Sequence, residues 1–73
     1  MSCCDKLHNA RSIVSDQRAC GEQVWNKFAG GKDGTLWYYT TLLDEYRRLG
    51  VEPRLVDELD RTIGEMQRLA ALP

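Results

Sequence analysis

Seventy-three residues, 42% apolar and 29% charged with a net charge of −1, can build one small domain and no more. That balance excludes a disordered chain, and the interspersed signs leave no basic stripe to hold a phosphate backbone, so no nucleic-acid partner is expected. No apolar run approaches the ~20 residues of a membrane span, and no charged region followed by an apolar one opens the chain.

A core of this size yields only about 3–5 kcal/mol unless a metal, a disulfide or a partner subunit helps. Three cysteines, two of them adjacent, make no disulfide framework. Reduced thiols and a cytoplasmic location are therefore expected.

Apolar periodicity predicts an all-α chain: a small bundle of about four helices forming a single domain over residues 1–73. The first helix covers roughly 3–19. At about 100° per residue, Cys3, Leu7, Ala10, Ile13, Val14 and Cys20 share one side. Asp5, Asn9, Ser12 and Asp16 share the other, and Gly21 is the expected stop.

A short second helix is predicted over roughly 22–29, with Val24, Trp25 and Phe28 as its apolar positions. Gly30-Gly31-Lys32-Asp33-Gly34 then reads as a turn, since glycine enters positive φ without steric cost. Asp33 or Thr35 can cap a third helix, roughly 35–49. Its stripe is Leu36, Tyr39, Leu43 and Tyr46, widened by Leu42 and Leu49.

Gly50 ends that helix, and Pro53 opens a fourth, roughly 53–72, carrying Val56, Leu59, Ile63, Met66 and Ala70. Asp44–Arg48 and Asp57–Arg61 have the i, i+4 spacing of helical ion pairs. A link as short as Gly50-Val51-Glu52 permits only an antiparallel αα-hairpin.

Asp5-Lys6-Leu7-His8-Asn9, continued by Ala10-Arg11-Ser12-Ile13, resembles the last metal-binding helix of the HD-domain phosphohydrolases. The nearest resemblance is to the branch that hydrolyses the 3′-pyrophosphate of guanosine tetraphosphate (ppGpp). The segment from Gly30 to Tyr39, the Leu-Leu-Asp-Glu-Tyr helix and Leu55–Thr62 are similar to the tail of small stand-alone members, so the likeness spans nearly the whole chain.

The resemblance implies that Asp5 is one ligand of a divalent metal, Mn2+ in that family, and that Asn9 and Ser12 lie beside the bound nucleotide. His8 occupies a non-ligand position of the motif. The chemistry is reasonable: a carboxylate on a rigid helix suits a hard cation, and an amide and a hydroxyl suit ribose or phosphate.

His8 is the sole histidine, however, so these residues supply neither the lone histidine ligand nor the His-Asp pair of the family. A metal site needs three or four ligands held together. The chain is thus expected to correspond to the C-terminal half of an HD domain, with no catalytic residue, no cofactor and no hydrolase activity of its own.

Helices that pack against an N-terminal half in the full domain should leave a contiguous apolar patch here, and such a patch usually marks an interface. Self-association, most simply a two-fold dimer, is the first expectation. The alternatives are a helical module for another protein, or a partial subunit of a ppGpp-type pyrophosphohydrolase completed in trans by a chain that brings the missing helices.

Two further signals are weaker. Cys3, Cys4 and His8 are too few and too closely placed for a recurring structural zinc site. The Gly30–Gly34 loop lacks the Walker spacing of a phosphate-binding loop and is expected to be an interhelical turn.

Overall fold

A computed structural model describes residues 3–71. Among them there is no strand. Three α-helices, α1 (Cys3–Cys20), α2 (Gly31–Leu49) and α3 (Pro53–Ala70), are joined by a 3-10 segment (Gly21–Lys27) and a short link. The short second helix expected over 22–29 is therefore missing: those residues form part of the 3-10 segment and the turn after it. The expected end of the last helix at Leu72 lies outside the described residues.

The 3-10 segment has a physical cause. Gly21 stands at φ +64°, which stops α1, and Gly31 at φ +63° follows ten residues later. Between those two left-handed positions the chain is too short for stable α-helix, and tighter i→i+3 bonding satisfies the backbone. Trp25 and Val24 are buried and close one end of the bundle. Lys27 pairs with Asp16 of α1 at 3.0 Å, and the Phe28 N–H donates to the Trp25 carbonyl.

α2 begins four residues before the expected start. Gly30 is its N-cap and makes no side-chain capping bond, so neither Asp33 nor Thr35 caps it. The Gly34 N–H donates to the Gly30 carbonyl, and Thr35 Oγ1 donates to the Gly31 carbonyl. Of the glycines expected to form a turn, Gly30 does so as the cap, whereas Gly31 and Gly34 lie in the first turn of the helix. Glycine costs about 1 kcal/mol per helical position, which the burial of Thr35 and Tyr39 just beyond helps to offset.

The other end follows the sequence. Gly50 at φ +72° is the left-handed C-cap, and Val51 N–H reaches back to the Tyr46 carbonyl. Glu52 caps α3 through the Arg54 N–H, with Pro53 at its first position.

All five expected apolar positions of α3 are buried, with Leu59 and Met66 fully enclosed. α3 meets α1 along one side: Arg11 pairs with Glu58, Arg18 with Glu65, and Gln17 Nε2 donates to the Met66 carbonyl. Partner numbers rise together, so α1 and α3 run parallel.

α2 runs the other way, as Lys32 Nζ donating to the Ala70 carbonyl and Arg47 pairing with Asp60 show. The expected hairpin thus places α2 and α3 antiparallel, but the principal interface of α3 is with α1, the helix most distant in sequence.

Several side chains depart from expectation. Cys20 is exposed, because Gly21 ends the helix before the stripe can use it. Leu49 is also exposed, at the last turn of α2 where neither neighbour reaches. Arg48 pairs with Glu45 and Arg61 with Glu58, both at i, i+3, in place of the expected Asp44 and Asp57 partners. Lys6 and Gln17 are buried although polar.

Candidate functional site

Asp5, Asn9 and Ser12 share one side of α1, and all three side chains are exposed. Their spacing produces this, since Cys3, Leu7, Ala10, Ile13 and Val14 turn the opposite side into the core. The expected stripe is therefore present as a surface.

Its donor set does not fit a resident metal. Among the described residues no group of three or more histidine, cysteine, aspartate or glutamate side chains stands close enough to hold one. Cys3 is buried, with its thiol pKa pushed up by desolvation and then by neighbouring Cys4, whereas Cys4 and His8 are exposed. A thiol held protonated is a poor zinc ligand, because the metal binds the thiolate. The glycine-rich segment has no phosphate-loop spacing either, and its Gly31 and Gly34 N–H groups are already donated to the Phe28 and Gly30 carbonyls.

Two other surfaces have more definite shape. The first is an apolar face on the outside of α2. Trp37, Tyr38, Thr41, Leu42 and Glu45 line one shallow groove, and Tyr38 is shared with a second lined by Phe28, Ala29, Gly30, Gly34, Thr35 and Tyr39. Trp37 is 67% exposed and Tyr38 40% exposed.

One end of this face is tied to α1. The Lys6 ammonium lies 5.3 Å from the centre of the Tyr38 ring, and interaction with Tyr38, chiefly hydrogen bonding, raises its pKa. The Tyr39 ring meets Tyr38 edge-on at 5.3 Å and faces inward; burial is the main cause of its raised pKa. Tyr38 therefore marks the boundary between core and open face.

The second surface is the seam between α1 and α3. A groove of about 360 Å³ is lined by Arg11, Val14, Ser15, Arg18, Arg61, Thr62 and Glu65. Glu58 accepts from Arg11 at 3.3 Å and from Arg61 at 3.4 Å. Glu65 accepts from Arg18 at 3.1 Å and also from Arg68.

These are two Arg–Glu–Arg triads, related by a seven-residue step on both helices. Arg68 and Arg18 hold the Glu65 carboxyl below the usual carboxylate range by hydrogen bonding and charge.

Reading each helix alone missed this seam. No single segment is basic, yet the fold sets four arginines against two glutamates along one line. The signal in the sequence is the repeated interval of Arg11 and Arg18, Glu58 and Glu65, and Arg61 and Arg68. None of Asp5, Asn9 and Ser12 borders this groove. No helix is long and apolar enough to cross a membrane among the described residues. Comparison of the chain with protein-family models, with curated proteins and with solved structures gives no match.

Proposed function

We propose that this chain is a helical interaction protein, related to the C-terminal half of an HD-domain phosphohydrolase, that forms a homodimer through the outer face of α2 and has no hydrolase activity alone. One observation carries this reading: Trp37 is two-thirds exposed beside half-open Tyr38, while the core behind them is closed. A solvent-facing tryptophan and tyrosine on one continuous groove are the side chains that dominate protein interfaces.

The occupant we favour is a second copy. α2 carries Asp33, Asp44 and Glu45 against Lys32, Arg47 and Arg48, so the helix has no net charge and does not repel its own image. A two-fold interface requires such self-complementarity. Proximity of identical surfaces also supplies the added burial that a small core needs.

The test is mass in solution, by light scattering behind size exclusion, with and without manganese. A dimer that persists without metal and becomes a folded monomer on Trp37→Ala is expected. A strictly monomeric wild-type chain at high concentration would overturn the reading.

A second reading draws on the exposure of Asp5, Asn9 and Ser12 on one side of α1. A separate chain carrying histidine and His-Asp ligands could meet that side and complete a metal site in trans, as a ppGpp-type pyrophosphohydrolase. Mixing with such a chain should then produce manganese-dependent hydrolysis that Asp5→Ala abolishes. Both readings belong with a protein that works in the cytoplasm.

A further inference from the structure

The groove between α1 and α3 has a composition that the α2 interface does not use. Three guanidinium groups, those of Arg11, Arg18 and Arg61, face it, and Arg68 stands behind Glu65. Two carboxylates oppose four arginines along the seam, leaving a local charge of +2 in a chain whose net charge is −1. The floor is different in kind: Val14 and the Thr62 side chain line it, and the Thr62 hydroxyl is occupied by donating to the Glu58 carbonyl.

The existing ion pairs do not close the site. Arg11–Glu58, Arg61–Glu58 and Arg18–Glu65 measure 3.3, 3.4 and 3.1 Å, and all three arginine side chains are more than half exposed. Exposed pairs of this kind are weak, so rearranging them costs little. Each guanidinium has five N–H donors in a planar fork. With one carboxylate shared between two arginines, donors are left over in both triads. That surplus suits an oxyanion that can accept from several forks at once, and phosphate is the common ligand of that shape.

We propose that this groove binds a small phosphate monoester, its phosphate between Arg11, Arg18 and Arg61 and its organic part over Val14 and Thr62. A space of about 360 Å³ matches a small molecule. Ser15 is exposed on the same wall and supplies a free hydroxyl to the phosphate. Glu65 holds the Arg18 end of the groove and Glu58 is shared by Arg11 and Arg61, so the anion is held by the guanidinium donors that these two carboxylates leave unused. The proposal does not depend on the dimer, because the groove lies between α1 and α3 and the apolar face lies on α2.

The test is a titration of the 15N-labelled full chain with phenyl phosphate, inorganic phosphate and phenol, followed by amide shifts. Phenyl phosphate should give saturable shifts centred on Ser15, Thr62 and Glu65, inorganic phosphate the same shifts with weaker affinity, and phenol none. Arg11→Gln with Arg18→Gln should weaken phenyl phosphate at least tenfold.

Ser15→Glu, which keeps all four arginines and sets a competing carboxylate beside Arg11 and Arg18, should weaken it similarly and guards against a fold defect in the double variant. Arg47→Gln, paired with Asp60 away from the groove, should change nothing. Absence of saturable shifts would overturn the proposal. So would phenol binding as well as its phosphate ester, or an Arg47→Gln effect equal to that of the groove variants.

Discussion

α3 and α2 are nearly equal in length and use the same kinds of residue, yet one is covered and the other is half open. On α3 the apolar positions recur in steps of three and four, and each is buried against α1 or α2. On α2 the apolar residues form two stripes. Thr35, Tyr39, Leu43 and Tyr46 turn inward, while Trp37, Tyr38 and Leu49 turn outward. A helix with a single stripe can be satisfied by its own chain. A second stripe must remain in solvent or find another surface, and this difference separates the part of the molecule that holds the fold from the part available for contact.

Truncation sharpens the comparison most directly. Leu59→Ala, at a side chain with no exposure, should cost about 2–5 kcal/mol, enough to unfold much of a small domain in urea or heat. If Leu59→Ala cost no more than a surface change, the distinction between the two helices would fail.

The link between them comes next. Gly50→Ala forces a Cβ into a left-handed position and should cost about 1 kcal/mol or more, read as a lower urea midpoint with unchanged slope. Little surrounds Gly50, so the penalty is conformational and not steric.

A smaller effect concerns pH. Because the folded-state pKa of Glu65 lies below its unfolded value, its contribution is present at neutral pH and lost as pH falls through the folded value. Stability measured from neutral to strongly acidic pH should decline in that range, and Glu65→Gln should flatten the decline. An unchanged profile in the variant would mean that the second triad contributes nothing to folding.

Gln17 offers a finer test of how α1 meets α3. Its Nε2 donates to the Met66 carbonyl at 3.1 Å, whereas its buried Oε1 has no partner. Gln17→Leu removes an unsatisfied acceptor together with one hydrogen bond, so the net change should stay within about 1 kcal/mol of zero. Smallest of all is the effect of Trp37→Ala on monomer stability, expected within about 0.5 kcal/mol because the ring is mostly in solvent. A loss near that of Leu59→Ala would show that the outer face of α2 supports the fold after all.

Legibility in the sequence tracked how each element is stabilised. α3 could be read almost residue by residue, because one stripe at helical spacing leaves one solution. Gly21 and Gly50 were also legible, since both stand at positive φ where the chain must change direction. The Gly30–Gly34 segment was not. Its glycines permit a turn and also permit helix, and burial of Thr35 beyond them decided for helix.

Trp25 and Val24 were read rightly as inward-facing but given the wrong backbone, because apolar spacing over so few residues does not separate 3-10 from α-helix. At the candidate site, the exposed alignment of Asp5, Asn9 and Ser12 followed from periodicity alone. The arginine seam did not, because it is shared by two helices that a sequence reading treats one at a time.

The parallel course of α1 and α3 has a mechanical consequence. The start of α1 and the end of α3 lie at opposite ends of a body 35 Å long. Tension applied at Cys3 and Ala70 would therefore draw the two helices past each other lengthwise, loading the Arg11–Glu58, Arg18–Glu65 and Gln17–Met66 contacts together. α2 and α3, joined at adjacent ends by a short link, would instead peel apart one contact after another if pulled from Gly31 and Ala70. The same small domain should thus resist force strongly along one pair of attachment points and weakly along the other.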